Sequence, residues 1–298
     1  MPTPRSLQGI AFAIGSCASF ALLDTTVQSF HGAVPVLMML WVQYAFQTII
    51  ITASLLPSQG WGLLRTARPK LQILRGGLLV CSTGLAFASL QVMPVSEFTA
   101  IVMVIPLLIT FVAATWFKQS ISALRWALIV GGFVGALIII RPNLGLQPAL
   151  VLPLGCVTLN AAFQLLTSRI MQHENPQTTL MISSLVGMVC SSIALAFVFT
   201  SMPSTQLWAR LLLMCLASTA GHWMLIKAYQ KAAATTITTY LYTQIVFAIL
   251  GGWLAFHYIP DQWSLAGICL IAMCGVLSAW LSVRQTTAPL IDTAALRP

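Results

Sequence analysis

The 298-residue chain is 58% hydrophobic and only 6% charged, with a mean hydropathy of +0.92. Soluble domains carry about a quarter charged residues, so a soluble globular fold is excluded. The net charge of +9 comes from basic residues scattered singly, which argues against a nucleic-acid surface and for loop charge that orients a chain in a bilayer.

Apolar runs of ~20 residues, each long enough to cross ~30 Å of hydrocarbon, recur along the chain. Turn and charge clusters such as "SFHGAVP", "PSQGWGLLRTARPK", "QHENPQ" and "HYIPDQ" separate them. Ten spans are expected, at roughly 8–27, 34–56, 71–91, 95–117, 122–140, 148–170, 178–199, 207–230, 235–257 and 262–283. In lipid each backbone polar group must be satisfied within its own segment, so all ten are expected as helices. The first run, "LQGIAFAIGSCASFALL" after Arg5, continues past Cys17 to Leu23. That is too long for a secretory signal core, and it is read as a retained span. The seven cysteines (17, 81, 156, 190, 215, 269 and 274) all fall inside expected spans without metal-site spacing. They read as small apolar packing residues, with neither a disulfide nor a zinc site.

With the N-terminus cytoplasmic, twelve of the fourteen basic residues lie at inside loops and span ends, and only Arg141 and Arg210 lie outside. Both termini are therefore expected to be cytoplasmic.

The stretch "FASLQVMPVSEFTAIVMVIPLLITFVAATWF" can be laid over "KAYQKAAATTITTYLYTQIVFAILGGWLAF" at an offset of about 138 to 140 residues, and a Gly-containing helix follows each. An odd number of helices per repeat inverts the two halves in the membrane. The expected fold class is thus an all-α membrane protein of ten transmembrane helices in two inverted five-helix repeats. The expected boundaries are 1–143, 144–285 and a short cytoplasmic tail, 286–298. A substrate site is expected near the midplane between the halves.

The chain resembles the drug/metabolite transporter superfamily in its ten-helix EamA-type branch. The residues that carry the resemblance are "FALLDTTVQ", "LRGGLLV", "MPVSEFTAIVMVIPLL", "RWALIVGGFVGALIIIRP", "GHWMLIKAY" and "YTQIVFAILGGWLAFHYIPD". It implies transport of a small organic metabolite and leaves the substrate open. There are departures: Gln43 stands where many relatives carry an arginine, and Lys118-Gln119 where the first half usually has Gly-Glu.

Polar residues inside spans are costly unless they face a cavity or find partners. Gln43 and Gln244 lie near the middle of spans 2 and 9, beside Tyr44 and Tyr242, and are expected to line one central cavity; interhelical hydrogen bonding is the plain alternative. Asn160 and Gln164 in span 6 fit both readings. His222 in span 8 belongs to the resemblance, yet a lone membrane histidine is more often a neutral hydrogen-bond partner. Asp24 and Glu97 are the two acids within spans, expected at similar depth toward the outer side. Glu97 is expected to face the outer mouth of the cavity beside Asp24, taking a proton or a cationic part of the substrate. Against that stands a helix-end role, an acid in the first turn with Ser96 as N-cap. Gly131 and Gly135 imply close helix packing, within or between protomers.

The substrate-binding candidates are therefore Gln43, Tyr44, Glu97, Tyr242, Gln244, Asp24, His222 and Asn160. No catalytic residue, metal or cofactor is expected, and the chain lacks a G-x-x-x-x-G-K-S/T loop for direct ATP drive. The expected function is secondary transport, with export by alternating access across the inner membrane. A membrane-embedded enzyme acting on a lipid-soluble substrate is the alternative. The expected partners are a small-molecule metabolite, the lipid bilayer and protons as candidate coupling ion. Nucleic acid is not expected, and the oligomeric state is open between monomer and homodimer.

Overall fold

The computed structural model describes residues 4–116, 118, 121–141, 148–170, 174–198, 204–232 and 234–287, and among them there is no strand. The expected tail at 286–298 lies almost wholly outside the described residues. The helices are α1 (Pro4–Gln28), α2 (Val36–Gln59), α3 (Pro69–Leu90), α4 (Val95–Val102), α5 (Ile105–Thr115) and α6 (Ala123–Ile140) in the first half. In the second half they are α7 (Pro148–Ile170), α8 (Pro176–Val198), α9 (Thr205–Lys231), α10 (Ala234–Leu241), α11 (Thr243–Phe256) and α12 (Gln262–Thr287). Together they provide ten helical stretches long and apolar enough to cross a membrane. Large apolar side chains such as Ile49, Phe197 and Leu254 stand on the outer surface, as hydrocarbon surroundings allow.

Spans four and nine differ from expectation, because each is broken. In span four Pro106 has no N–H for the Val102 carbonyl and its ring crowds it, so α4 ends at Val102. A single tight turn carries the chain into α5: Met103 N donates to Thr99 O and Val104 N to Ile101 O, both at 3.0 Å. Span nine breaks at Tyr242 without a proline. The carbonyls freed there find side-chain donors: Thr243 Oγ1 donates to Tyr240 O at 2.7 Å, and the Cys17 thiol points at Leu241 O at 3.5 Å. The two breaks meet, since the Tyr242 hydroxyl donates to the Met103 carbonyl at 3.3 Å.

The helices pair across the sequence rather than along it. The most extensive contacts are α1 with α9, α2 with α8, α3 with α7 and α6 with α12, while α11 lies against both α1 and α4. In the α6–α12 seam backbone approaches backbone. A Cβ placed on Gly267 would lie 2.7 Å from the Gly135 carbonyl oxygen, and one on Gly131 2.7 Å from Cys274 Sγ. Gly131 and Gly135 therefore serve packing inside one chain. All seven cysteines are free thiols within helices.

The first turn of α4 also departs from expectation. Its N-cap is Pro94, not Ser96, whose hydroxyl is buried without a partner. The side chain that meets the orphan N–H of Val95 comes from α1: Gln28 Oε1 accepts it at 3.1 Å. Glu97 remains in the first turn of α4, where its charge complements the helix dipole.

Candidate functional site

Asp24 projects from α1 four residues before the end of the first span and is half-buried. Gln244, the second residue of α11, donates from Nε2 to Asp24 Oδ2 at a long 3.4 Å. The carboxylate also lies within electrostatic reach of the Cys156 thiol on α7. From there a polar chain runs across α3 and α7. Ser82 Oγ donates to Cys156 O at 3.4 Å, Asn160 Nδ2 to Ser82 Oγ at 3.2 Å, and Gln164 Nε2 to Asn160 Oδ1 at 2.8 Å. Gln244 thus ties α11 to Asp24 on α1, and Asn160 ties α7 to Ser82 on α3.

Gln43 and His222 form a second group. Gln43, 6% exposed on α2, donates from Nε2 to Ser218 Oγ on α9 at 3.2 Å, and its Oε1 is left without a partner. His222 Nδ1 lies 2.8 Å from the Ser218 carbonyl, one turn earlier on the same helix. An amide oxygen left unpaired in an apolar interior forgoes about 1–3 kcal/mol.

The two tyrosines go elsewhere. Tyr44 is 2% exposed, its ring seated on Gly187 of α8 and its hydroxyl 3.2 Å from Thr83 Oγ1 of α3. Tyr242 presses its ring onto Gly275 of α12 and ties together the breaks of spans four and nine. Neither hydroxyl bonds to Gln43 or Gln244 among the described residues.

Glu97 has two hydroxyl partners, both on one oxygen, at one rim of the bundle. Its Oε1 accepts from Tyr258 Oη at 2.6 Å and from Ser264 Oγ at 2.8 Å. Asp261 Oδ1 accepts the Ser264 N–H at 2.8 Å and pairs with Arg141, whose Nη2 also reaches Ser264 Oγ at 3.3 Å. The Arg141 guanidinium holds the Asp261 carboxyl well below the usual carboxylate range, and the Ser264 N–H helps. Burial, then the bond to Glu97, pushes the Tyr258 phenol above its ordinary value. Glu97 and Asp24 share no hydrogen bond among the described residues.

Sequence reading missed Ser82, Ser218, Tyr258 and Ser264, because single hydroxyls in apolar helices carry no signal of their own. Arg75 is one of the basic residues counted at inside span ends and loops, and the structure gives it a further role. Arg75 is 8% exposed on α3, with Nε donating to Thr167 Oγ1 at 2.7 Å, Nη1 donating to Ser183 Oγ, and the guanidinium 4.6 Å from the Phe163 ring centre. It staples α3 to α7 and α8 with no carboxylate in the contact.

The description of the EamA-like transporter family matches residues 147–280, the second half of the fold. The chain carries an EamA-like transporter domain. Similar proteins extend over its whole length. A riboflavin transporter of Vibrio cholerae is 26% identical over 276 residues, 90% of this chain and 91% of its own. An S-adenosylmethionine uptake transporter of Rickettsia bellii is 25% identical, covering 84% and 83%. A pseudopaline exporter of Pseudomonas aeruginosa is 24% identical, covering 91% and 95%. A solved crystal structure superposes with a TM-score of 0.64 at 18% identity, over 95% of this chain and 100% of the other. The family and these relatives, which belong to the drug/metabolite transporter superfamily, are transporters rather than enzymes, and the EamA domain sits here in a multi-pass membrane protein.

Proposed function

We propose that this EamA-domain protein is a secondary transporter of a small organic metabolite in the inner membrane, with both termini cytoplasmic and with two inverted halves, 1–143 and 144–285, that alternate access to a shared interior site. The observation that carries the reading is the pattern of helix pairing. Exchanging each span of the first half with its counterpart in the second converts the α1–α9 pair into the α7–α3 pair. It leaves the pairs α2–α8 and α6–α12 unchanged and converts α1–α11 into α7–α5. The two broken spans, related by the same exchange, touch at their breaks. Discontinuous helices beside a site between repeats are a recurring arrangement in secondary transporters.

Asp24 and Gln244 form the centre of the proposed site, with Asn160 and Ser82 as its second wall and the orphan Gln43 oxygen, backed by Ser218 and His222, as a further contact. Tyr44 and Tyr242 support it through packing. Glu97 belongs to an outer gate with Tyr258, Ser264, Asp261 and Arg141. Protons are the proposed coupling ion, taken up at Asp24.

Two directions remain distinct readings. Export agrees with the pseudopaline exporter, whereas the S-adenosylmethionine uptake transporter favours import. Purified protein in proteoliposomes loaded with riboflavin or S-adenosylmethionine, assayed for counterflow with and without an imposed proton gradient, tests the proposal. Counterflow of either compound, lost in D24N, is the expected result. Outward movement driven by the gradient in oriented vesicles supports export. ATP-dependent movement, or flux that no competing metabolite saturates, overturns secondary transport.

A further inference from the structure

On the flank of the bundle α1 and α9 leave an open groove of about 540 Å3, lined by Gln8, Ala11, Phe12, Gly15, Met224 and Lys231. It is separate from the interior site. At about 100° per residue, positions 8, 11, 12 and 15 share one side of α1, while Cys17 and Asp24, which face α10 and α11, lie on the opposite side. The groove therefore opens to the surroundings of the bundle.

Its chemistry is graded along its length. The end toward the middle of the span is apolar, from Ala11, Phe12, Gly15 and Met224, and Phe12 continues edge-to-face onto the exposed ring of Trp223. The other end coincides with the start of span one and the last residues of span eight, the level of lipid headgroups. Lys231 stands there, and Lys227, one turn earlier on α9, lies beside the groove. Lys231 Nζ donates to the neutral Gln8 Oε1 at 2.7 Å, and Lys227 Nζ lies 5.8 Å from the Trp223 ring centre. Among the described residues neither lysine has an ion-pair partner. Two unneutralised ammonium groups and an amide above an apolar trough complement a molecule with an anionic head and an alkyl tail.

We propose that this groove is a binding site for one anionic phospholipid, with the headgroup phosphate held by Lys227 and Lys231 beside Gln8, and an acyl chain laid along Ala11, Phe12, Gly15 and Met224. Basic pockets between transmembrane helices recognise anionic headgroups by this combination of charge and depth. The lipid spans the joint between α1 of one half and α9 of the other, so its presence stabilises their pairing.

The test uses the full-length protein, delipidated in detergent, with short-chain phosphatidylglycerol and phosphatidylcholine as probes. Lipid retention is read by native mass spectrometry and by the shift of the thermal unfolding midpoint. Phosphatidylglycerol is expected to bind and to raise the midpoint, while phosphatidylcholine does neither. K227Q/K231Q weakens that binding by about fivefold per lysine. A11W, which fills the trough without touching charge, weakens it as well, and K70Q, a lysine at another span end, leaves it unchanged. Equal retention of the two lipids overturns the proposal, as does unaltered phosphatidylglycerol binding by K227Q/K231Q or an equal loss in K70Q. Inorganic phosphate is the control for a headgroup-only site. Protection by phosphate equal to that by the lipid, with A11W silent, overturns the acyl-chain half and with it the lipid assignment.

Discussion

The two acids within the spans sit in opposite circumstances. Glu97 accepts two short hydrogen bonds, at 2.6 and 2.8 Å, inside a network that continues to an arginine. Asp24 has one long bond of 3.4 Å from an amide. A carboxylate whose lone pairs are taken by protein donors is held in place, and breaking it free is costly. One left nearly bare in an apolar interior has unused capacity for a proton, a cation or a substrate donor. The difference teaches that rarity of an acid in a span locates a place of interest, while satisfaction by neighbours separates the proposed gate from the proposed site.

The sharpest way to break that contrast is D24N. The variant keeps shape and hydrogen-bonding capacity but loses charge, and transport is expected to fall by at least about a hundredfold, roughly the 3 kcal/mol of a hydrogen bond to a charged group, while yield and thermal unfolding stay near wild type. Counterflow at wild-type rates would return Asp24 to the status of a packing residue. E97A should behave the other way round. It strands the hydroxyls of Tyr258 and Ser264, and a loss of about 2 kcal/mol in stability is expected, with residual transport in the protein that folds. A stable E97A that cannot transport would exchange the roles of the two acids. Y258F removes one donor from Glu97 and should cost about 1 kcal/mol, measured by thermal unfolding in the same detergent.

The smallest effect concerns Asp261. Its carboxyl is depressed in the folded protein by Arg141, so the stabilisation it brings is fully present above the unfolded value near pH 4 and fades as pH falls through the folded value. Wild type should therefore lose a little stability on acidification below about pH 4 that D261N does not lose, and salt should narrow the gap because the pair is solvent-exposed. A D261N profile parallel to wild type would remove the ion pair from the account of the gate.

The ten spans were legible because length and hydropathy report directly on a bilayer, and the break in span four was within reach through Pro106. The break at Tyr242 was not, since no residue there forbids a helix; the thiol of Cys17, 224 residues away from Leu241, helps to satisfy it. The acids of the site were legible as exceptions in an apolar text. Their partners were not, because Glu97 meets Tyr258 across 161 residues and Gln244 meets Asp24 across 220, and no periodicity records such pairings. Ser96 illustrates the same limit at short range. It has the right residue type and place for a cap, yet a side chain from another helix takes the task.

The seam between α6 and α12 carries a mechanical consequence. Where Gly135 and Gly267 face each other, backbone touches backbone, with no side chain between them to swing aside or repack. Helices in such contact neither slide nor separate by small steps, because any displacement forfeits dispersion contacts along the whole seam at once. If the bundle rocks as proposed, this pair is its fulcrum. Spin labels placed across α6 and α12 should then report one unchanging distance through a transport cycle.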